Sequence, residues 1–134
     1  MIAALLFTLA TAGVLFMAVR FARTDVPLDY HAKILAKEGG AGDGLMLILR
    51  ALYRLFACAL FGAAVLMLYV IWTDVVAGSI LAALVITVAG LGLGVVGTIL
   101  PKAVEDATGV RTPWRISAIS TVPLVLGFVA SIVP

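Results

Sequence analysis

Few side chains in this chain could do chemistry. There is one histidine, His31, and one cysteine, Cys58. A metal or haem centre needs several imidazole, thiolate or carboxylate ligands, and a nucleophile needs a base within reach. His31 follows Tyr30 in a polar stretch, whereas Cys58 lies inside an apolar run, so no His–Cys or Ser–His arrangement is suggested. His31 is expected to be a titrating surface histidine. Cys58 is expected to be a small buried thiol with no disulfide partner. The expectation is no catalytic residue, no cofactor and no metal.

A second chemical signal is Gly92-Leu93-Gly94-Val95-Val96-Gly97, which has the G-x-G-x-x-G spacing that brings a backbone turn close to a pyrophosphate. It sits inside a long apolar segment, with no acidic residue about 20 positions further on. The same residues fit close helix packing better. Ala83, Thr87, Gly90, Gly94 and Thr98 share one helical face, and small residues four apart let helices approach, within a bundle or between protomers. A matching face near the C-terminus carries Ser117, Thr121, Gly127 and Ser131, and the first apolar run carries Ala4, Thr8 and Thr11. Gly90, Gly94, Thr98 and Gly127 are the expected packing residues. Hydroxyls of this kind bond back to their own helix or across to a neighbour; alternatively they line a polar path.

The remaining candidates are cations. Arg50 and Arg54 stand one helical turn apart, so both guanidiniums emerge on one face. Lys102, Arg111 and Arg115 gather in a second short stretch. Together these five form a basic rim suited to an anionic headgroup or an acidic partner loop. Arg111, between Gly109 and Thr112-Pro113, is the expected specific contact, its fork pairing with Glu105 or Asp106 or clamping a phosphate.

The elements that must position these residues follow from composition. Of 134 residues, 64% are hydrophobic and 12% charged, and the mean hydropathy is +1.25. A soluble domain carries about twice that charge, and a small one exposes much of its surface. A soluble enzyme, a disordered chain and a disulfide-rich chain are excluded. The formal net charge of +2 does not suggest a nucleic-acid partner.

Four runs are long and apolar enough to cross a bilayer: about 2–19, 55–72, 75–100 and 116–133. The fold class expected is an all-α, single-domain integral membrane four-helix bundle. No basic residue precedes the first run, so it reads as a retained helix rather than a signal peptide. The second should begin near Gly44 with Asp43 as its cap. Pro101 should end the third. Pro123 should kink the fourth, the hydroxyls of Ser120 and Thr121 re-satisfying the freed carbonyl.

Orientation follows from the cations. Arg20, Arg23, Lys33, Lys37, Arg50 and Arg54 lie between the first two runs, and Lys102, Arg111 and Arg115 between the last two. The hairpin Trp72-Thr73-Asp74-Val75 and both termini carry none. The positive-inside rule places both basic connections in the cytoplasm and both termini outside. Within the first connection, Asp25 and Pro27 signal a helix start, Leu28, Ala32 and Leu35 repeat at helical spacing, and Gly39-Gly40 ends the run. A short cytoplasmic surface helix is expected there.

The stretch Gly97 to Trp114 reads G-T-I-L-P-K-A-V-E-D-A-T-G-V-R-T-P-W. It resembles the signature of the SdpI family, bacterial membrane proteins named after an immunity protein against a sporulation-delaying toxin. The positions that carry the resemblance are Gly97, Leu100, Pro101, Lys102, Gly109, Arg111, Thr112, Pro113 and Trp114. Two features depart from it: no Asn precedes the glycine, and the chain passes directly into its last apolar run. The resemblance implies a multispan bacterial inner-membrane protein, with toxin immunity or sensing as an analogous role.

The sequence thus points to a non-enzymatic membrane protein that associates with itself or with a larger membrane complex through helix faces. A small transporter or channel is the alternative, and immunity or sensing a third reading. Ionisable groups are missing from the middle of every run, which weighs against proton-coupled transport.

Overall fold

The computed structural model describes residues 1–24 and 28–133, and every regular element among them is helical. The elements are α1 (Ile2–Arg23), α2 (Asp29–Lys37), α3 (Asp43–Val70), α4 (Ile80–Thr108), α5 (Trp114–Ser120) and α6 (Val122–Ile132). Asp25 and Pro27, the start signals of the loop helix, lie outside the described residues. Four segments, Ile2–Arg23, Asp43–Val75, Ile80–Thr108 and Trp114–Ile132, are long and apolar enough to cross a membrane.

Several boundaries differ from the sequence reading. Gly42, not Asp43, precedes the first turn of α3, and Asp43 is its first helical residue. There its charge still complements the partial positive charge of the helix start. The second span does not stop at Trp72. A π turn over Ile71–Val75 extends α3, so Val75 belongs to the second span and not to the third. The chain reverses over residues 76–79, where Gly78 takes φ of 87° and Ser79 Oγ accepts from the N–H of Ala82 to open α4. The wider π turn keeps Met67, Ile71 and Val75 on the inner face, all three buried.

Pro101 does not end the third span either. It is accommodated inside α4, which runs on to Thr108 and stops where Gly109 adopts a left-handed conformation (φ 67°). One proline removes one backbone donor from a helix of 29 residues. The fourth span is interrupted at Thr121, which keeps right-handed helical dihedrals between α5 and α6, and Pro123 lies in the first turn of α6, a position that needs no N–H. Thr121 Oγ1 bonds to Ala118 O and Ser120 Oγ to Ile116 O, not to the Ile119 carbonyl that the proline frees.

α1 packs between α3 and the α5–α6 segment, and α4 packs against α5 and α6. α3 reaches α4 mainly through the π turn. The main core accordingly sits in the half of the bundle near that reversal, built from Ala3, Ala4, Phe7, Ala10, Met67, Ile71, Val75, Ala82, Ala83, Ile86 and Leu124. Phe7 and Ile71 are fully buried. Towards the other end α3 and α1 stay together through Tyr53, Ala57 and Ala18, all buried, and Phe21, whose ring lies 5.4 Å from that of Tyr53.

Candidate functional site

Chain order puts the Arg20–Arg23 end of α1, the start of α3, the end of α4 and the start of α5 at the same end of the bundle. Every lysine and arginine belongs to this end, and among the described residues Asp74 is the one acidic side chain at the other. This basic end is therefore where charged chemistry is concentrated.

Its most constrained part is the turn between α4 and α5. Gly109 sends the chain back along the last turns of α4, and its N–H donates to Glu105 O at 2.8 Å. Thr112, 4% exposed, then folds onto α4. Its backbone N–H donates to Glu105 Oε2 at 2.7 Å, and its hydroxyl donates to the Pro101 carbonyl at 2.9 Å. Arg115 closes the arrangement from α5, with Nη2 3.1 Å from Glu105 Oε1. Its guanidinium also lies 4.5 Å from the Trp114 ring centre, within cation–π range. The Thr112 N–H, with help from Arg115, pulls the Glu105 carboxyl down from 4.5 to about 2. Glu105 lies beyond the apolar run that ends at Leu100, outside the membrane-spanning part of α4.

Arg111 was expected to pair with Glu105 or Asp106, and it pairs with neither. Arg115 occupies Glu105, and Lys102 bonds to Asp106 at 2.6 Å, an exposed pair one helical turn apart. Arg111 is exposed between buried Val110 and buried Thr112, and makes no ion pair or hydrogen bond with another described residue. Arg50 and Arg54 are also exposed, on α3, and both are engaged with other groups.

The surface helix α2 is present and ends at Gly39-Gly40, both with positive φ, as the glycine pair suggested. It is not simply laid on a surface. His31 Nδ1 is hydrogen-bonded to the hydroxyl of Tyr53 on α3, whose oxygen also meets the backbone of Leu28. Burial pushes the His31 imidazole below its ordinary 6.5. From the far end of α2, Lys37 Nζ donates to Thr108 O at 3.0 Å, occupying a carbonyl at the end of α4. The helix thus bridges the α1–α3 pair and the α4–α5 turn. His31 is half-buried and bonded rather than a free surface group. Tyr53 was not singled out in the sequence, where no local pattern marks it; Lys37 was read only for orientation, Glu105 only as a partner for Arg111, and Thr112 only as part of the family resemblance.

The glycine face of α4 is a packing face within the chain. A Cβ on Gly90 would sit 2.7 Å from a methyl of Leu124, one on Gly94 would collide with the Thr121 methyl, and one on Gly97 would lie 3.3 Å from Ser117 Oγ. Thr98 bonds back to Gly94 O at 2.7 Å. Gly127 on α6 takes the ring of Phe7, 3.1 Å from where its Cβ would be. Gly92, the first glycine of the G-x-G-x-x-G run, faces open space. Cys58, expected to be buried, is exposed, in a groove that it lines with Ala18, Val19 and Ala22 of α1. The chain matches no family model, no curated protein and no solved structure.

Proposed function

We infer that the chain is a non-enzymatic multi-pass protein of a bacterial inner membrane, that it acts by association with itself or with a larger membrane complex, and that its basic end faces the cytoplasm. The observation that carries the reading is the outer face of α3. This helix packs mainly along α1 and leaves Leu55, Phe56, Phe61, Leu66 and Tyr69 exposed along the bundle. Large apolar side chains exposed over so long a helix need lipid or another helix against them. The glycine face of α4 is filled from within, so association falls to the outer faces. The hydroxyls of Thr8, Thr11, Thr87, Thr98, Ser120, Thr121 and Ser131 each bond back to a carbonyl three or four residues earlier. That satisfies them locally and favours association over a polar path.

The deciding measurement is the mass of the particle purified in mild detergent, with its co-purifying proteins identified. A homo-oligomer or a stable hetero-complex is the expected result. A lone chain in detergent, unchanged on reconstitution into lipid, would overturn the reading. A symmetric ring conducting ions in planar bilayers would replace it with the channel alternative.

A further inference from the structure

We propose that Arg111 is the docking point for the phosphate of an anionic membrane lipid, held at headgroup height by the fold of the α4–α5 turn. The proposal rests on the membrane-spanning reading of the chain.

Height comes first. The apolar part of α4 runs from Ile80 to Leu100, about 31 Å of helix, which matches the hydrocarbon thickness of a bilayer. Residues from Pro101 onward therefore emerge at the headgroup layer, and the chain returns to apolar sequence at Ile116. Arg111 lies between these crossings. Trp114 beside it is a residue type that settles at membrane–water interfaces.

Direction comes next. Val110 and Thr112 are both buried, and Thr112 is tied to Glu105 and Pro101. A residue held between two inward-facing neighbours in a non-helical turn points outward, and Arg111 is exposed. Its side chain is presented by a fixed backbone, so a ligand need not order the loop on binding.

Charge completes the argument. Lys102 and Arg115 already hold Asp106 and Glu105. Arg111 is the third cation of the turn and has no carboxylate there. An anion from outside the chain supplies the missing partner. The guanidinium fork matches two oxygens of a phosphate, whereas an ammonium offers only a point charge.

The test compares the wild type with Arg111→Ala, Arg111→Lys and a charge control, Lys33→Ala on α2. Each is purified in detergent doped with equal phosphatidylglycerol and phosphatidylcholine, and the retained lipid is measured by mass spectrometry. The wild type is expected to retain phosphatidylglycerol preferentially. Arg111→Ala should lower that retention about fivefold, the equivalent of about 1 kcal/mol for one juxtamembrane cation. Arg111→Lys should fall nearly as far, Lys33→Ala should match the wild type, and excess inorganic phosphate should displace none of the lipid. Equal retention by Arg111→Ala, full rescue by Arg111→Lys, an equal loss in Lys33→Ala, or displacement by free phosphate would each overturn the proposal. Matching thermal unfolding of the variants separates loss of lipid from loss of fold. If alkaline carbonate released the chain from membranes without detergent, the membrane-spanning reading itself would fail, a result distinct from all of these.

Discussion

Thr112 and Glu105 are seven residues apart on opposite sides of a helix end, yet the backbone N–H of one meets the carboxylate of the other at 2.7 Å. The contact exists because Gly109 reverses the chain in a left-handed conformation that other residues rarely adopt. It turns the stretch from Pro101 to Arg115 into a single clasp, in which a proline carbonyl, a carboxylate, a buried threonine and an arginine hold one another. Pro101, Gly109 and Thr112 each have a place in the clasp.

The clasp predicts a pH dependence. The Glu105 carboxyl is held from 4.5 down to about 2 in the folded chain. Between those values the unfolded chain binds the proton and the folded chain does not, so stability rises with pH across that window. The contribution is complete above 4.5 and is lost as the pH falls towards 2. Thermal unfolding in detergent should show this acid limb, and Glu105→Gln should flatten it. An unchanged limb in that variant would place the titration elsewhere.

Thr112→Val keeps the shape of the side chain and removes its hydroxyl bonds. Losing them should cost about 1–2 kcal/mol, read as a lower unfolding midpoint. Because the backbone N–H is untouched, the acid limb of Glu105 should persist in this variant.

Gly94 and Gly92 are two residues apart and should respond in opposite ways. A Cβ at Gly94 meets the Thr121 methyl, whereas one at Gly92 meets nothing. Gly94→Leu should destabilise the bundle by about 1–3 kcal/mol or more, as overpacked interiors do, and should leave the mass of any oligomer that still folds unchanged. Gly92→Leu should fold normally. Equal behaviour of the two variants would contradict the packing of α4 against α5 and α6.

The helices were legible in the sequence, and their ends much less so. Apolar runs announced all four long segments, and Gly39-Gly40 marked the end of α2. Pro101 misled because a proline costs a long helix one bond, which the following turn, with Lys102 bonded to Asp106, can absorb. The π turn left no trace, since Ile71 to Val75 differ little in type from the residues before them. Cys58 misled for a different reason. On a helix that is apolar on every side, periodicity does not separate exposed positions from buried ones. The exchange of Arg115 for Arg111 at Glu105 depends on how far Gly109 turns the chain, and spacing along the sequence carries no such angle.

Orientation can be tested with single cysteines in a Cys58→Ala background, which removes the exposed native thiol. Cysteines near residue 2 and at Asp74 should react with an impermeant maleimide added from outside intact cells. A cysteine at Gly42 should react only after lysis. Labelling at Gly42 from outside would reverse the assignment of the basic end to the cytoplasm.

The bridge made by α2 is a final consequence that the structure makes measurable. One end is held by His31 and Tyr53, and the other by Lys37 on the Thr108 carbonyl, just before the glycine pair at 39–40 with its positive φ angles. Tyr53→Phe removes the hydroxyl from His31, and Lys37→Ala removes the donor at Thr108. Each should raise amide hydrogen exchange over Asp29–Lys37, by an amount matching one hydrogen bond, about 0.5–1.5 kcal/mol or roughly two- to tenfold. Acid should act in the same direction as Tyr53→Phe. The His31 pKa is lowered in the folded state, so docking of α2 is fully present above about 6.5 and weakens as the pH falls below it, when the undocked imidazole takes the proton first. Lys37→Ala should leave that pH dependence in place, because the His31 contact remains. If exchange over Asp29–Lys37 were insensitive both to Tyr53→Phe and to mild acid, the helix would be held by its apolar contacts alone.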